Sequence, residues 1–180
     1  MTRSTRITNL CLLLLLVMAA CSEPGQNFAN RSATTPGASS TAQKITSESV
    51  VVAAAQPVEI RAGGSAEASV RVTIQNGYHI NANPPTYSYL KATELEITPT
   101  QGVLVGPVTY PKPHDKKFSF AEKPLRVYEG ETLLKATLKA DKSTPRGERS
   151  VPARLRIQAC DDQVCYPPGI LDLTIPVSIK

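Results

Sequence analysis

The feature that most narrows what this chain can fold into is a period of two. Between residues 50 and 180, apolar and polar side chains alternate in one stretch after another. "LDLTIPVSIK" sets Leu171, Leu173, Ile175, Val177 and Ile179 against Asp172, Thr174, Pro176, Ser178 and Lys180. "ARLRIQ" alternates Ala153, Leu155 and Ile157 with Arg154, Arg156 and Gln158. "SVRVTI" and "LKATLKA" repeat the pattern through Val70, Val72 and Ile74 and through Leu134, Ala136 and Leu138. Successive side chains of an extended chain point to opposite faces, so each stretch predicts a strand with one face buried and one wet. No convincing helical stripe interrupts them, and 15 prolines with 10 glycines supply the punctuation. The expected fold is all-β: an immunoglobulin-like antiparallel β-sandwich over residues 50–180, long enough for one domain with its own core.

The first 49 residues read differently. "LCLLLLLVMAAC" follows Arg3 and Arg6 and ends in small residues, the layout of a secretory signal over residues 1–20. A spanning helix needs about 20 apolar residues, and this run is roughly half that. The ending "MAAC" resembles the bacterial lipobox, which makes Cys21 the lipid-bearing first residue of the mature chain. The other reading is an ordinary signal peptide cut near Ala20, with Cys21 left as a free thiol. Either way the chain is exported. Residues 22–48 are rich in Ser, Thr, Ala, Gly and Pro, too polar to offset their ordering entropy, so residues 21–49 are expected to form a lipidated, disordered tether. Its mean reach is on the order of 30 Å. Ser22 after the lipid cysteine points to the outer rather than the inner membrane. Without Arg3 and Arg6 the 20 basic residues become 18, against 15 acidic, a surplus of +3 that is too small for a nucleic-acid partner.

Export leaves Cys160 and Cys165 as the domain's own pair, in "QACDDQVCYPPG" (residues 158–169). One predicted strand ends near Gln158 and another begins near Ile170, so the cysteines bracket a hairpin tip. Facing residues of antiparallel strands have Cα atoms about 4.5–5.5 Å apart, within disulfide reach. Two readings of such a bond stand. As a staple it closes a loop of about six residues and contributes on the order of 2 kcal/mol. As a redox pair it lies where a partner can reach it. Asp161 and Asp162 would raise the cysteine pKa values if they point at the sulfurs, and are otherwise solvated turn residues. Pro167 and Pro168 fix the chain direction after Cys165. His79 and His114 lack ligand spacing with the cysteines, so no metal is expected, and His79 reads as a structural side chain at a strand end. No cofactor motif, catalytic triad or phosphate-cradling glycine loop is present. A binding module remains the competing class: a non-catalytic immunoglobulin-like envelope lipoprotein whose disulfide is structural.

"QACDDQVCYPP", with "GYHINANPP" (residues 77–85) and "PLRVYEGE" (residues 124–131), resembles the amino-terminal periplasmic domain of the thiol:disulfide interchange protein DsbD. The resemblance covers roughly residues 50–180. It implies an immunoglobulin-like fold and a protein-disulfide reductase relay, with electrons received from a membrane-embedded or thioredoxin-like donor and passed to oxidised periplasmic proteins. It further implies that Cys165 forms the mixed disulfide and Cys160 resolves it, and that a cap loop shields them. The candidate cap is "KPHDKKFSF" (residues 112–120), with Phe118 the better match and Phe120 the reserve. The alternative is that both rings are ordinary core anchors. Four residues separate the cysteines, where the enterobacterial domain has five. With no membrane or thioredoxin-like domain before Lys180, the donor is expected to be a separate polypeptide.

Overall fold

The computed structural model describes residues 44–100 and 102–180; the signal, Cys21 and most of the tether lie outside them. A single 3-10 turn, Glu48–Val50, leads into β1 (Val51–Ala55), β2 (Val58–Ile60), β3 (Ser65–Ile74) and β4 (His79–Asn81). Then come β5 (Glu94–Ile97), β6 (Val103–Thr109), β7 (His114–Lys116) and β8 (Leu125–Tyr128). The chain closes with β9 (Glu131–Ala140), β10 (Gly147–Ile157), β11 (Ala159–Cys160) and β12 (Gly169–Ile179). No α-helix occurs among the described residues.

The strands form three sheets, ordered β1-β3-β9-β6, β2-β12-β10-β5 and β11-β4-β8-β7. All pairings are antiparallel except β2 with β12, so the immunoglobulin-like sandwich carries one parallel contact that alternation alone does not reveal. The alternating stretches behave as their pattern requires. Val70, Val72 and Ile74 of β3, Leu134, Ala136 and Leu138 of β9, Leu155 and Ile157 of β10, and Ile175, Val177 and Ile179 of β12 join one buried core. Burying each larger side chain is worth roughly 1.5–3 kcal/mol. Pro152 lies inside β10 yet costs little there. Its carbonyl accepts from the Thr98 amide, so its nitrogen faces the same flank, one residue past the end of the pairing with β5.

Two details position the site. The first is that β10 runs along β12 through Ile157, and only Gln158 separates it from β11, which belongs to a different sheet and pairs with β4. The second lies just ahead of β1. Ser47 is fully buried and Thr46 and Ser49 exchange hydrogen bonds, so residues 46–49 are packed onto the sandwich. These small polar residues are held by hydrogen bonds and not by a buried apolar face, which is why they carry no period.

Candidate functional site

Cys160 and Cys165 are joined, with Sγ atoms 2.00 Å and Cα atoms 3.9 Å apart. The Cα spacing is tighter than the cross-strand value expected from the sequence. The cause is the turn between them: the Asp161 amide donates to the Val164 carbonyl at 2.9 Å. The Asp161 carboxylate accepts from the amides of Gln163 and Val164, both at 2.8 Å, and from the Tyr166 hydroxyl at 2.6 Å. Its charge is thus engaged within the loop, as in an Asx turn, and those contacts support the turn reading of this acid. The Tyr166 hydroxyl holds the Asp161 carboxyl below its ordinary range, and the carboxylate in return pushes the Tyr166 phenol up to about 12. Asp162 is exposed, with a carboxylate oxygen 3.6 Å from the Lys116 ammonium.

The base of this loop is braced from three directions. The Ser47 hydroxyl donates to the Pro167 carbonyl at 2.6 Å and accepts from the Ala159 amide at 2.9 Å, tying both legs together. The Gln158 side chain accepts from the Asn81 amide group and the Lys91 backbone amide, and donates to the Tyr166 carbonyl. Glu48, its carboxyl lowered chiefly by a hydrogen bond from its own backbone amide, also accepts from the Ile170 amide. Gly169 leaves the space that the Glu48 carboxylate fills.

The sulfurs sit in unlike surroundings. Cys160 is fully buried inside the β11–β4 ladder, directly opposite His79. Cys165 is half-buried and lines a hollow of about 350 Å³ with Tyr89, Leu90, Phe120 and Val164. Phe118 is only 3% exposed and packs with Leu125 and Val127, whereas Phe120 is 43% exposed. The rings of His79, Phe118 and Phe120 stack in a ladder, with centroids 4.2 Å and then 5.3 Å apart. Of the two candidate cap rings, the one beside Cys165 is therefore Phe120, while Phe118 lies beneath it over His79. The proposed loop is also partly a strand: residues 114–116 form β7, and a turn from Phe118 to Ala121 follows.

Lys116, at the end of β7, joins this cover to the cysteine loop. Its ammonium lies 2.6 Å from Glu129, 3.6 Å from Asp162 and 5.3 Å from the Phe118 ring centroid, and the Glu129 hydrogen bond raises its pKa. His79 has no hydrogen-bond partner at either ring nitrogen. Burial, reinforced by the Lys116 charge, pushes its imidazole down to about 4. His114 is exposed on β7, and no group of three or more His, Cys, Asp or Glu residues is gathered for a metal among the described residues. The sequence assigns no individual role to Ser47, Lys116, Glu129 or Tyr166. Three motifs had already marked the region, however. "GYHINANPP" supplies β4, "PLRVYEGE" supplies β8, and the cysteine stretch supplies β11, so all three meet in one sheet.

Fold and site together define a β-sandwich domain that presents a disulfide at the tip of a braced hairpin, with one sulfur inside and one at an apolar rim. Residues 46–171 match the family described as the thiol:disulfide interchange protein DsbD, N-terminal, and the chain belongs to that family of periplasmic-side thiol:disulfide exchange domains, which work with redox-protein partners. Solved structures similar to it include the reduced DsbD N-terminal domain of Neisseria meningitidis. That likeness has 21% identity and a TM-score of 0.43, and covers 63% of this chain and 79% of that one. The N-terminal periplasmic domain of ScsB from Proteus mirabilis is similar at 16% identity and a TM-score of 0.49. There the match covers 71% of this chain and 45% of that one, less than half of its length. No curated relative matches in sequence.

Proposed function

We propose that this domain is a membrane-tethered relay that passes reducing equivalents from a thioredoxin-like or membrane-embedded donor to oxidised periplasmic proteins through Cys160 and Cys165. Cys21 carries the lipid anchor, in the outer membrane by its Ser22 neighbour. The observation that carries the reading is the asymmetry of the sulfurs: Cys160 is 0% exposed, and Cys165 borders an apolar hollow. Exchange requires an attacking thiolate to approach one sulfur in line with the bond to the other. Only Cys165 offers that approach. In the reduced domain the Cys165 thiolate attacks an acceptor disulfide and forms a mixed disulfide. The Cys160 thiolate then attacks the Cys165 sulfur, expels the acceptor's thiolate and restores the intramolecular bond.

The staple reading has less to do in this loop. Hydrogen bonds between Tyr166 and Asp161, from Gln158 to the Tyr166 carbonyl, and through the Ser47 hydroxyl already close it, and the bond would add only about 2 kcal/mol. The test is to incubate reduced Cys160→Ala and Cys165→Ala separately with an oxidised thioredoxin-like protein. Cys160→Ala should accumulate trapped mixed disulfide, because it keeps the attacking thiol and lacks the resolver, and Cys165→Ala should not. Equal trapping overturns the assignment of roles. Absence of trapping with any periplasmic partner, together with a reduction potential below about −300 mV, returns the bond to a structural role.

A further inference from the structure

His79 is what the relay leaves unexplained. It is fully buried, both its ring nitrogens lack a partner, and the β4–β11 register sets it directly across from Cys160. Facing residues of an antiparallel pair share one side of the sheet, with Cβ atoms about 4.5–5.5 Å apart. Leaving a buried polar atom unpaired costs roughly 1–3 kcal/mol. A phenylalanine would stack on Phe118 equally well and avoid that cost. We propose that His79 is the proton acceptor for Cys160, taking the thiol's proton as this buried sulfur becomes the resolving nucleophile.

The proposal rests on the exchange reading, and its chemistry balances. In the mixed disulfide Cys160 is a thiol. Its proton passes to the neutral imidazole, its sulfur attacks Cys165, and the partner leaves as a thiolate, which is protonated in turn as His79 returns to neutrality. Buried cysteines otherwise have raised pKa values and are poor nucleophiles. The charged groups around the ring are Lys116 on β7, Glu129 after β8, and Asp161 and Asp162 in the cysteine loop. One cation and three anions therefore surround the imidazole. With the disulfide intact, burial outweighs them and the ring stays neutral, its pKa held at about 4. A thiolate opposite the ring adds an anion at close range, which raises such a pKa by roughly 1–3 units.

Two measurements test this. In His114→Gln protein, where His79 is the remaining histidine, the ring is observed by NMR in the oxidised form and after reduction with dithiothreitol. With the ring neutral and Cys160 a free thiol, the S–H can donate to an imidazole nitrogen that has no partner in the oxidised protein, so reduction should move the 15N resonance of that nitrogen. Unchanged ring resonances on reduction overturn the proposal. In the second measurement reduced protein reacts with Ellman's reagent, and the slower intramolecular release of the second nitrothiobenzoate reports attack by Cys160. General-base assistance contributes about 10²–10⁴-fold, so His79→Phe should slow that phase at least tenfold near neutral pH and move its pH profile upward. The same rate and profile in the variant overturn the proposal. Both measurements use small thiol reagents, so a failure to exchange with protein partners would defeat the relay reading without touching this one.

Discussion

Truncating Phe118 and Phe120 one at a time should separate a ring that packs the site from a ring that shields the sulfurs. Phe118 is 3% exposed, stacks on His79 with centroids 4.2 Å apart and packs with Leu125 and Val127. Core Phe→Ala changes cost about 3–5 kcal/mol. This cluster is a small one beneath a turn, able to close partly over a void, so about 3 kcal/mol is expected. Phe120 is 43% exposed. With roughly half of the 1.5–3 kcal/mol of a fully buried ring at stake, its truncation should cost about 1 kcal/mol. For a domain of this size 1 kcal/mol moves Tm by about 3–4 °C, so Phe118→Ala should lose about 10 °C and Phe120→Ala about 3 °C.

Reactivity should run the other way. Phe120 shares the hollow with Cys165, so after reduction Phe120→Ala should alkylate faster with iodoacetamide while keeping its fold, and Phe118→Ala should change that rate less per degree of Tm lost. Melting is followed by circular dichroism on the oxidised proteins and alkylation by mass spectrometry on the reduced ones, well below Tm. If Phe118→Ala melts like the parent and alkylates faster than Phe120→Ala, Phe118 is the mobile cap and the packing argument is wrong. If neither changes the alkylation rate, neither ring shields the sulfurs.

Stability should fall in mild acid because His79 is buried neutral. Its folded pKa of about 4 lies below the ordinary histidine value of 6.5, so the unfolded chain binds the extra proton across that window. Stability is then complete above about 6.5 and declines by about 3 kcal/mol as pH falls to 4. Urea denaturation should show this loss in the parent and not in His79→Phe; an equal loss in both would assign it to other groups. Ser47→Ala leaves the Ala159 amide and the Pro167 carbonyl without their shared partner. It should cost about 1–3 kcal/mol and loosen the loop, read as faster reduction of the disulfide by dithiothreitol; an unchanged rate would show that the hydroxyl does not brace the site. Cys21→Ser should release the protein into the soluble periplasmic fraction, and retention on membranes through a high-salt wash would refute lipidation.

The long strands were legible in the sequence because each is wet on one face and buried on the other, and burial in β3, β9, β10 and β12 follows the alternation. The third sheet was not. Its strands run two to four residues, too short to show a period, and all three residues of β4 are buried. Only the resemblance brought its motifs together. Phe118 and Phe120 could not be ranked from spacing, since a turn begins at Phe118 and takes the second ring out of any strand register. Ser47 was invisible for a different reason: its two partners lie 112 and 120 residues away, and a lone serine in a Ser/Thr-rich segment carries no signal of what it will meet.

The inequality of the two sulfurs follows from the chain changing sheets at Gln158. Had β10 simply continued along β12, both cysteines would sit at the tip of one two-stranded hairpin with similar access to solvent. Instead, Ala159 and Cys160 pair with Ile80 and His79 of β4, and the Asn81 amide donates to the Gln158 carbonyl to secure the crossing. Cys160 is thereby carried into a ladder covered by Phe118 and backed by His79. The chain then reverses through the Asp161 turn, returns to β12 only at Gly169, and leaves Cys165 outside the ladder. The switch buries one sulfur and leaves the other at the rim; on the proposed relay Cys160 is then the internal leaving group and Cys165 the external target, a division that exchange chemistry uses and a staple does not need.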